Sequence, residues 1–265
     1  MSEEGRIKNI SKRLPNLTEY QLDAISRIID QLQKPKKFWR NENSDLVTNN
    51  VLQDFGDTLR IHHVFSAEAL SKDRFEYALE RVLQGCGVKA KCAPKGNPGH
   101  DITINDMRVS LKTQADKGIK VGTIHISKFM ELGKGEWTDK VEHLHGLLER
   151  FYNHMTRYDR IFTLRRLKDK TNENYELVEI PKEVLKRAEF GEFRIVSNSK
   201  QTPKPGYCTV SDHDGVEFQL YFDGGTERKL QVKCLRKDLC IVHANWIFPR
   251  QQADKELVFE DDPIS

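Results

Sequence analysis

No stretch of this chain is apolar for anything near the ~20 residues that a membrane-spanning helix needs. Its N-terminus, MSEEGRIKNISKR, also lacks the apolar segment of a secretory signal. A cytoplasmic chain with no membrane partner is therefore expected. Cysteine is scarce and poorly arranged for metal: the five, at 86, 92, 208, 234 and 240, are odd in number, and neither close pair has the roughly two-to-four-residue spacing of a zinc site. Reduced, mostly buried thiols are expected instead. An excess of charge of one sign is missing too, since 43 basic residues against 40 acidic ones leave a net +3. Any nucleic-acid binding must come from local clustering of the bases and not from the field of the whole molecule.

What is present suits a folded enzyme-sized chain. At 265 residues, 37% hydrophobic and 31% charged, it is polar but able to bury a core. Leu17 to Leu32 has near-helical apolar spacing, and Thr18 with Gln21 forms a capping-box pattern. KPKKFWRNENSD (34–45) reads as a basic loop with its aromatics tucked inward, and residues 48–65 as short helical turns broken around Asp54, Phe55 and Gly56. Ser71 opens a helix to about Gln84 on which Glu76 and Glu80 share a flank. Phe129 to Trp137 reads as a short helical turn broken by glycines, and Val141 to Met155 as a long amphipathic helix. Strands are expected at 160–167 and 175–180. His143, His145 and His154 on the long helix are spaced poorly for one metal, and the adjacent His62 and His63 point apart.

The stretch with chemical content is NPGHDITINDMRVSLKTQ, residues 97–114. Ile102 and Ile104, then Val109 and Leu111, alternate with polar residues as half-buried strands do, and Asn105-Asp106 suits the tight turn between them. Counting back from that turn places Asp101 opposite Ser110 and diagonal to Lys112. One face is thus expected to gather Asp101, Ser110, Lys112 and Gln114. A carboxylate that can hold a divalent cation, with an ammonium beside it, is the skeleton of a phosphodiesterase site. On spacing alone, such a pair more often marks a solvated hairpin face. Lys117, Lys120 and Lys128 follow as phosphate contacts. Further on, SNSKQTPKPGY (197–207) and FQLYFDGGTERKLQVKCL (218–235) carry Lys200, Gln201, Lys204, Arg228 and Lys229, residue types that pair with guanine edges and clamp phosphates.

FGDTLRIHHVFSAEAL, NPGHDITI, SLKT, HISKFMELGKGEW, SKQTPKPGY, YFDGGTERKLQ and CIVH, in that order over roughly Phe55 to Trp246, resemble the SmaI-like type II restriction endonucleases of the PD-(D/E)xK nuclease superfamily. The resemblance implies an α/β (α+β) restriction-endonuclease-like core, a mixed central β-sheet flanked by helices. Together with the periodicity and charge of the two ends, the expected organisation is an N-terminal helical region at 1–50, a catalytic and DNA-recognition domain at 51–250, and a loose acidic tail at 251–265. The activity implied is magnesium-dependent hydrolysis of double-stranded DNA by a homodimer at a palindrome, CCCGGG cut at its centre to blunt 5′-phosphate ends. The partner methyltransferase would be linked functionally and not physically. Carried over, Asp101 is the acid, Lys112 the lysine and Glu76 the glutamate from the preceding helix. Metal ligands would be Asp101, Glu76 and the backbone carbonyl of Leu111. The sequence departs from the common motif two positions before Lys112, where Ser110 replaces an acid; a hydroxyl brings no charge, so Glu76, or else Glu131, must supply it, with Gln114 at most a neutral ligand. Ser110 also leaves open a DNA-binding module with a degenerate core, and a structure-specific repair nuclease is a further alternative.

Overall fold

The structure is a computed structural model that describes residues 2–97, 99–133 and 137–251; the tail expected at 251–265 lies outside them except for Gln251. Two N-terminal helices, α1 (Glu3–Arg13) and α2 (Glu19–Gln33), precede a short strand β1 (Lys37–Arg40). Thr18 and Gln21 do form a reciprocal capping box at the start of α2. The basic stretch after it is not all loop: β1 forms the edge of the main sheet, antiparallel to β12 (Ile241–Pro249). Residues 49–65 form one unbroken helix, α3 (Asn49–Phe65). Gly56 is therefore no breaker. A Cβ there would lie 2.3 Å from the Phe38 ring and 2.6 Å from Trp246, so glycine lets the helix press against the sheet.

The next helix, α4 (Lys72–Gly85), is capped by Ser71, whose side chain accepts from the Arg74 amide. Then come β2 (Ala90–Cys92), β3 (Ile102–Ile104), β4 (Met107–Gln114), β5 (Thr123–Glu131), α5 (Val141–Met155), β6 (Arg160–Leu167) and β7 (Asn172–Glu179). The segment at 129–131 is strand, not the expected helical turn, because its residues pair with the later hairpin. Helix α6 (Lys182–Lys186), β8 (Glu192–Ile195), β9 (Gly206–Asp212), β10 (Gly215–Asp223) and β11 (Lys229–Arg236) complete the order before β12.

A seven-stranded mixed sheet runs β1-β12-β7-β6-β4-β3-β2, with β4 and β6 parallel. A second, five-stranded sheet, β5-β11-β10-β9-β8, was not foreseen from sequence. The crossover between β4 and β6 contains β5 and α5, so the chain leaves the first sheet, lays a strand in the second, and returns through a helix. Two apolar clusters follow from this layering. Phe55, Phe75, Leu79, Ile102, Leu111 and Phe162 pack between α3, α4 and one face of the main sheet. Leu144, Leu148 and Phe151 of α5 pack with Ile161, Val178 and the inner face of the second sheet. A cavity lies between β4 of the first sheet and β5 of the second. All five cysteines are free thiols, with Cys208 buried and Cys234 exposed.

Candidate active site

The tight turn of the β3–β4 hairpin is built as its residues require: Asn105 and Asp106 adopt φ of 46° and 67°, and Ile104 faces Met107. The register follows. Asp101 donates its amide to the Val109 carbonyl at 2.9 Å, and its Oδ2 accepts from Ser110 Oγ at 3.2 Å and from the Leu111 amide at 2.6 Å. One carboxylate oxygen is thereby fixed by the strand it faces. The other, Oδ1, accepts from Lys72 Nζ at 2.7 Å, and the same ammonium reaches Glu76 Oε1 at 2.9 Å. Lys72 and Glu76 come from the first two turns of α4, so the helix brings its acid to the hairpin across the sheet edge.

Burial raises the Glu76 carboxyl above its usual range, opposed by the Lys72 ammonium. Burial works against the charge of Lys72 as well, but its bonds to Asp101 and Glu76 prevail and its pKa is raised. Two carboxylate oxygens that share one ammonium define a cation-sized position, and a divalent ion needs that same convergence of hard oxygens. The donor set therefore fits a metal with two carboxylates. In an extended strand the N–H and C=O of one residue leave the same edge; since the Leu111 amide points at Asp101, its carbonyl lies on that edge as well.

Lys112 projects into a cavity of about 490 Å³ bordered by Lys72, Asp101, Ser127, Lys128 and His154. Its ammonium sits 5.4 Å from the centre of the Phe129 ring. Among the described residues no carboxylate pairs with it directly, and burial pushes its pKa down to about 8, with Asp101 opposing and Lys72 assisting. Glu76 borders an adjoining cavity of about 260 Å³ that shares Lys72, Asn97 and Asp101 with the first. Asp101 stands where the two meet.

Not every residue expected on this face is available. Gln114 is only 5% exposed; its Oε1 accepts from Arg165 Nε at 2.9 Å and its amide donates to Asp116, so it is committed to a buried network and not to a ligand position. The same Arg165 pairs with Glu176 and donates to the carbonyls of Lys120 and Thr123, which pins the loop carrying Lys117 and Lys120. Glu131, on strand and not on helix, pairs with Lys128 at 2.8 Å and borders neither cavity. Ser110 is fully buried and donates to Asp101. Glu80 accepts from the Cys92 amide at 2.8 Å and ties β2 to α4.

Residues 10–248 match the family described as SmaI, type II site-specific deoxyribonuclease. The chain belongs to this family. The Type II restriction enzyme SmaI of Serratia marcescens is 47% identical to it over 216 residues, which cover 80% of this chain and 85% of the relative. As a SmaI-family protein it is a nuclease that cuts double-stranded DNA at specific sites, and type II enzymes are generally metal-dependent. No described helix is long and apolar enough to cross a membrane.

In this SmaI-family fold, the late loop and the β10–β11 hairpin nominated from sequence form one unit. Gln201 donates to Asp223 Oδ1 at 3.1 Å, and Gln231 donates to Asp223 Oδ2 at 3.0 Å. A Cβ on Gly224 would lie 1.9 Å from the Pro203 carbonyl oxygen, so the turn seats directly on the loop. The unit reaches the cavity wall through β5, because Leu230 pairs in register with Met130, which borders the cavity, and the Leu132 amide donates to the Arg228 carbonyl at 2.7 Å. Gln201 is turned inward by its bond to Asp223, with its Oε1 buried. Lys204 faces Asp139 at 3.7 Å and Lys229 pairs with Glu227 at 3.1 Å. Lys200 is exposed and Arg228 is partly so. None of the five borders the Asp101 cavity.

Sequence reasoning missed two residues at the site. His154 forms a wall of the Lys112 cavity, with burial first and then the Lys112 and Arg157 charges lowering its pKa to about 4. It was set aside because its helical spacing excluded a shared metal, which says nothing about a strand across a cavity. Lys72 was missed although Lys72 and Glu76 stand four apart on α4, a spacing that pairs them on one helix face.

Proposed function

We propose that this chain hydrolyses DNA phosphodiesters by in-line attack of water on phosphorus, expelling the 3′ oxygen and leaving 5′-phosphate ends. The observation that carries this is the meeting of Asp101 and Lys112 of the β3–β4 hairpin with Glu76 of helix α4 around two adjoining cavities. Asp101, Glu76 and the Leu111 carbonyl would hold Mg2+, which when bound polarises the scissile phosphate and acidifies water. Ser110, no ligand in this reading, holds Asp101 Oδ2 in place with the Leu111 amide. Lys112 Nζ, its pKa pushed down by burial to about 8, orients the attacking water and, as the ammonium, offsets charge at a phosphate oxygen. His154 offers a neutral imidazole at the same wall.

The site read would be CCCGGG, cut at its centre to blunt ends, by a cytoplasmic homodimer whose two-fold axis matches the palindrome. A separate methyltransferase would protect the host's own sites. Base and phosphate contacts would fall to Lys200, Lys204, Arg228 and Lys229, with Gln201 and Asp223 holding that unit in shape. The outer face of the second sheet extends this surface, since Lys233 lies 3.8 Å over the Tyr221 ring beside Tyr207. The test is digestion of a fully sequenced plasmid with Mg2+ and sequencing of the fragment ends. Discrete blunt ends within CCCGGG support the whole reading. Discrete ends elsewhere keep the chemistry and overturn the specificity, and an intact plasmid at every divalent-ion concentration overturns the mechanism.

A further inference from the structure

We propose that Lys72 is a built-in rival of the catalytic metal: its ammonium holds the Asp101 and Glu76 carboxylates together, must leave them when a divalent ion binds, and is then released to the DNA backbone. This rests on the reading of those two carboxylates as metal ligands. The geometry supplies the competition. Asp101 Oδ2 is fully engaged by Ser110 Oγ and the Leu111 amide, which leaves Oδ1 as the oxygen open to a cation. Lys72 Nζ takes that oxygen at 2.7 Å and Glu76 Oε1 at 2.9 Å. An ammonium and a metal ion cannot both sit at one point between the same two oxygens, so each must weaken the other's hold.

The placement of Lys72 on its helix points the same way. It is the first residue of α4, directly after the Ser71 cap, where the helix dipole disfavours a positive charge. Asp73 beside it is the kind of residue that end of a helix favours. Lys72 therefore owes its position to the two carboxylates and not to the helix. Its side chain is 41% exposed on the rim shared by both cavities, so it has solvent to swing into. A displaced Lys72 would leave one more unpaired cation at the mouth where a phosphate backbone must enter. Metal arrival and the gain of a DNA-binding charge would then be a single exchange. The missing acid at Ser110 sharpens the effect, because an ion facing two carboxylates instead of three has less charge with which to evict the lysine.

The experiment is direct Mn2+ binding to the full chain without DNA, followed by the paramagnetic resonance of the free ion, with Asp101→Ala and Lys89→Met as references. Lys89 pairs with Asp106 on the exposed hairpin turn, away from both cavities. If the ammonium holds the pair about nine-tenths of the time, Lys72→Met tightens Mn2+ about tenfold, because apparent affinity scales with the fraction of competent sites. Lys72→Gln should do the same and Lys72→Arg should not. In Ca2+, Lys72→Met should bind DNA more weakly than wild type despite its tighter metal. Asp101→Ala losing the Mn2+ site while Lys72→Met and Lys72→Gln bind no tighter than wild type would overturn the role of Lys72 and leave the metal reading standing. An Asp101→Ala titration identical to wild type would overturn both.

Discussion

The chain contains two hairpins with the same alternation of apolar and polar residues, and they put their polar faces to opposite uses. In β3–β4 the polar face looks into a cavity: Asp101 and Lys112 stand at its wall and Lys112 has no ion-pair partner among the described residues. In β10–β11 the polar face is spent on the hairpin itself: Asp223 gathers Gln201, Gln231 and the Gly225 amide, and Lys229 pairs with Glu227. The first hairpin leaves Lys112 buried without a carboxylate partner while bonding Asp101 as fully as Asp223; the second satisfies its groups to hold a shape. A residue's type and its strand position therefore nominate it for chemistry, but its hydrogen-bond partners decide whether it is free to perform any.

The comparison breaks most sharply at Asp101. Asp101→Ala should abolish cleavage by about 10³-fold or more while DNA binding in Ca2+ persists, because it removes the carboxylate that Lys72, Ser110 and Leu111 all share. Single-turnover cleavage within tenfold of wild type would mean that another acid carries the site.

Lys112→Met should cost about 10²- to 10⁴-fold in rate and yet make the protein more stable. Burial holds the folded pKa at about 8 against an ordinary 10.5, so between those values the unfolded chain binds the extra proton and stability rises with pH. The penalty of the wild-type lysine is complete below about pH 8. The variant's gain, ~1–3 kcal/mol, should be full there and fade towards about pH 10.5. Urea melts across that pH range are the check, and equal stability at pH 7 would show that the lysine is better solvated than its surroundings imply.

In the second hairpin the sensitive position should be one without a side chain. Gly224→Ala places a Cβ 1.9 Å from the Pro203 carbonyl oxygen, a backbone atom that cannot turn aside. A loss of ~1–3 kcal/mol is expected, together with poorer discrimination among DNA sites in a competition digest. The smallest effect is expected at Arg228. Arg228→Ala should weaken DNA binding about tenfold and reduce the salt slope by roughly one. An unchanged affinity and site preference would remove recognition from this unit.

Much of the first hairpin was legible in the sequence because it is local. Alternation fixes which side chains share a face, and Asn105-Asp106 tolerates the positive φ a two-residue turn demands, so the partnership of Asp101 with Ser110 follows from counting. Capping did the same for α2 and α4. What the sequence could not determine was everything that depends on a neighbour far along the chain. Gly56 looked like a helix breaker until Phe38 and Trp246 gave it a surface to press on. Residues 129–131 looked helical until β11 gave them a partner, and Gln114 looked available until Arg165 claimed it. Lys72 is the clearest case: its spacing from Glu76 is written in the helix, but the second carboxylate its ammonium holds, Asp101, lies 29 residues on. Local periodicity sets which way a side chain points, whereas packing between layers alone decides what it meets there.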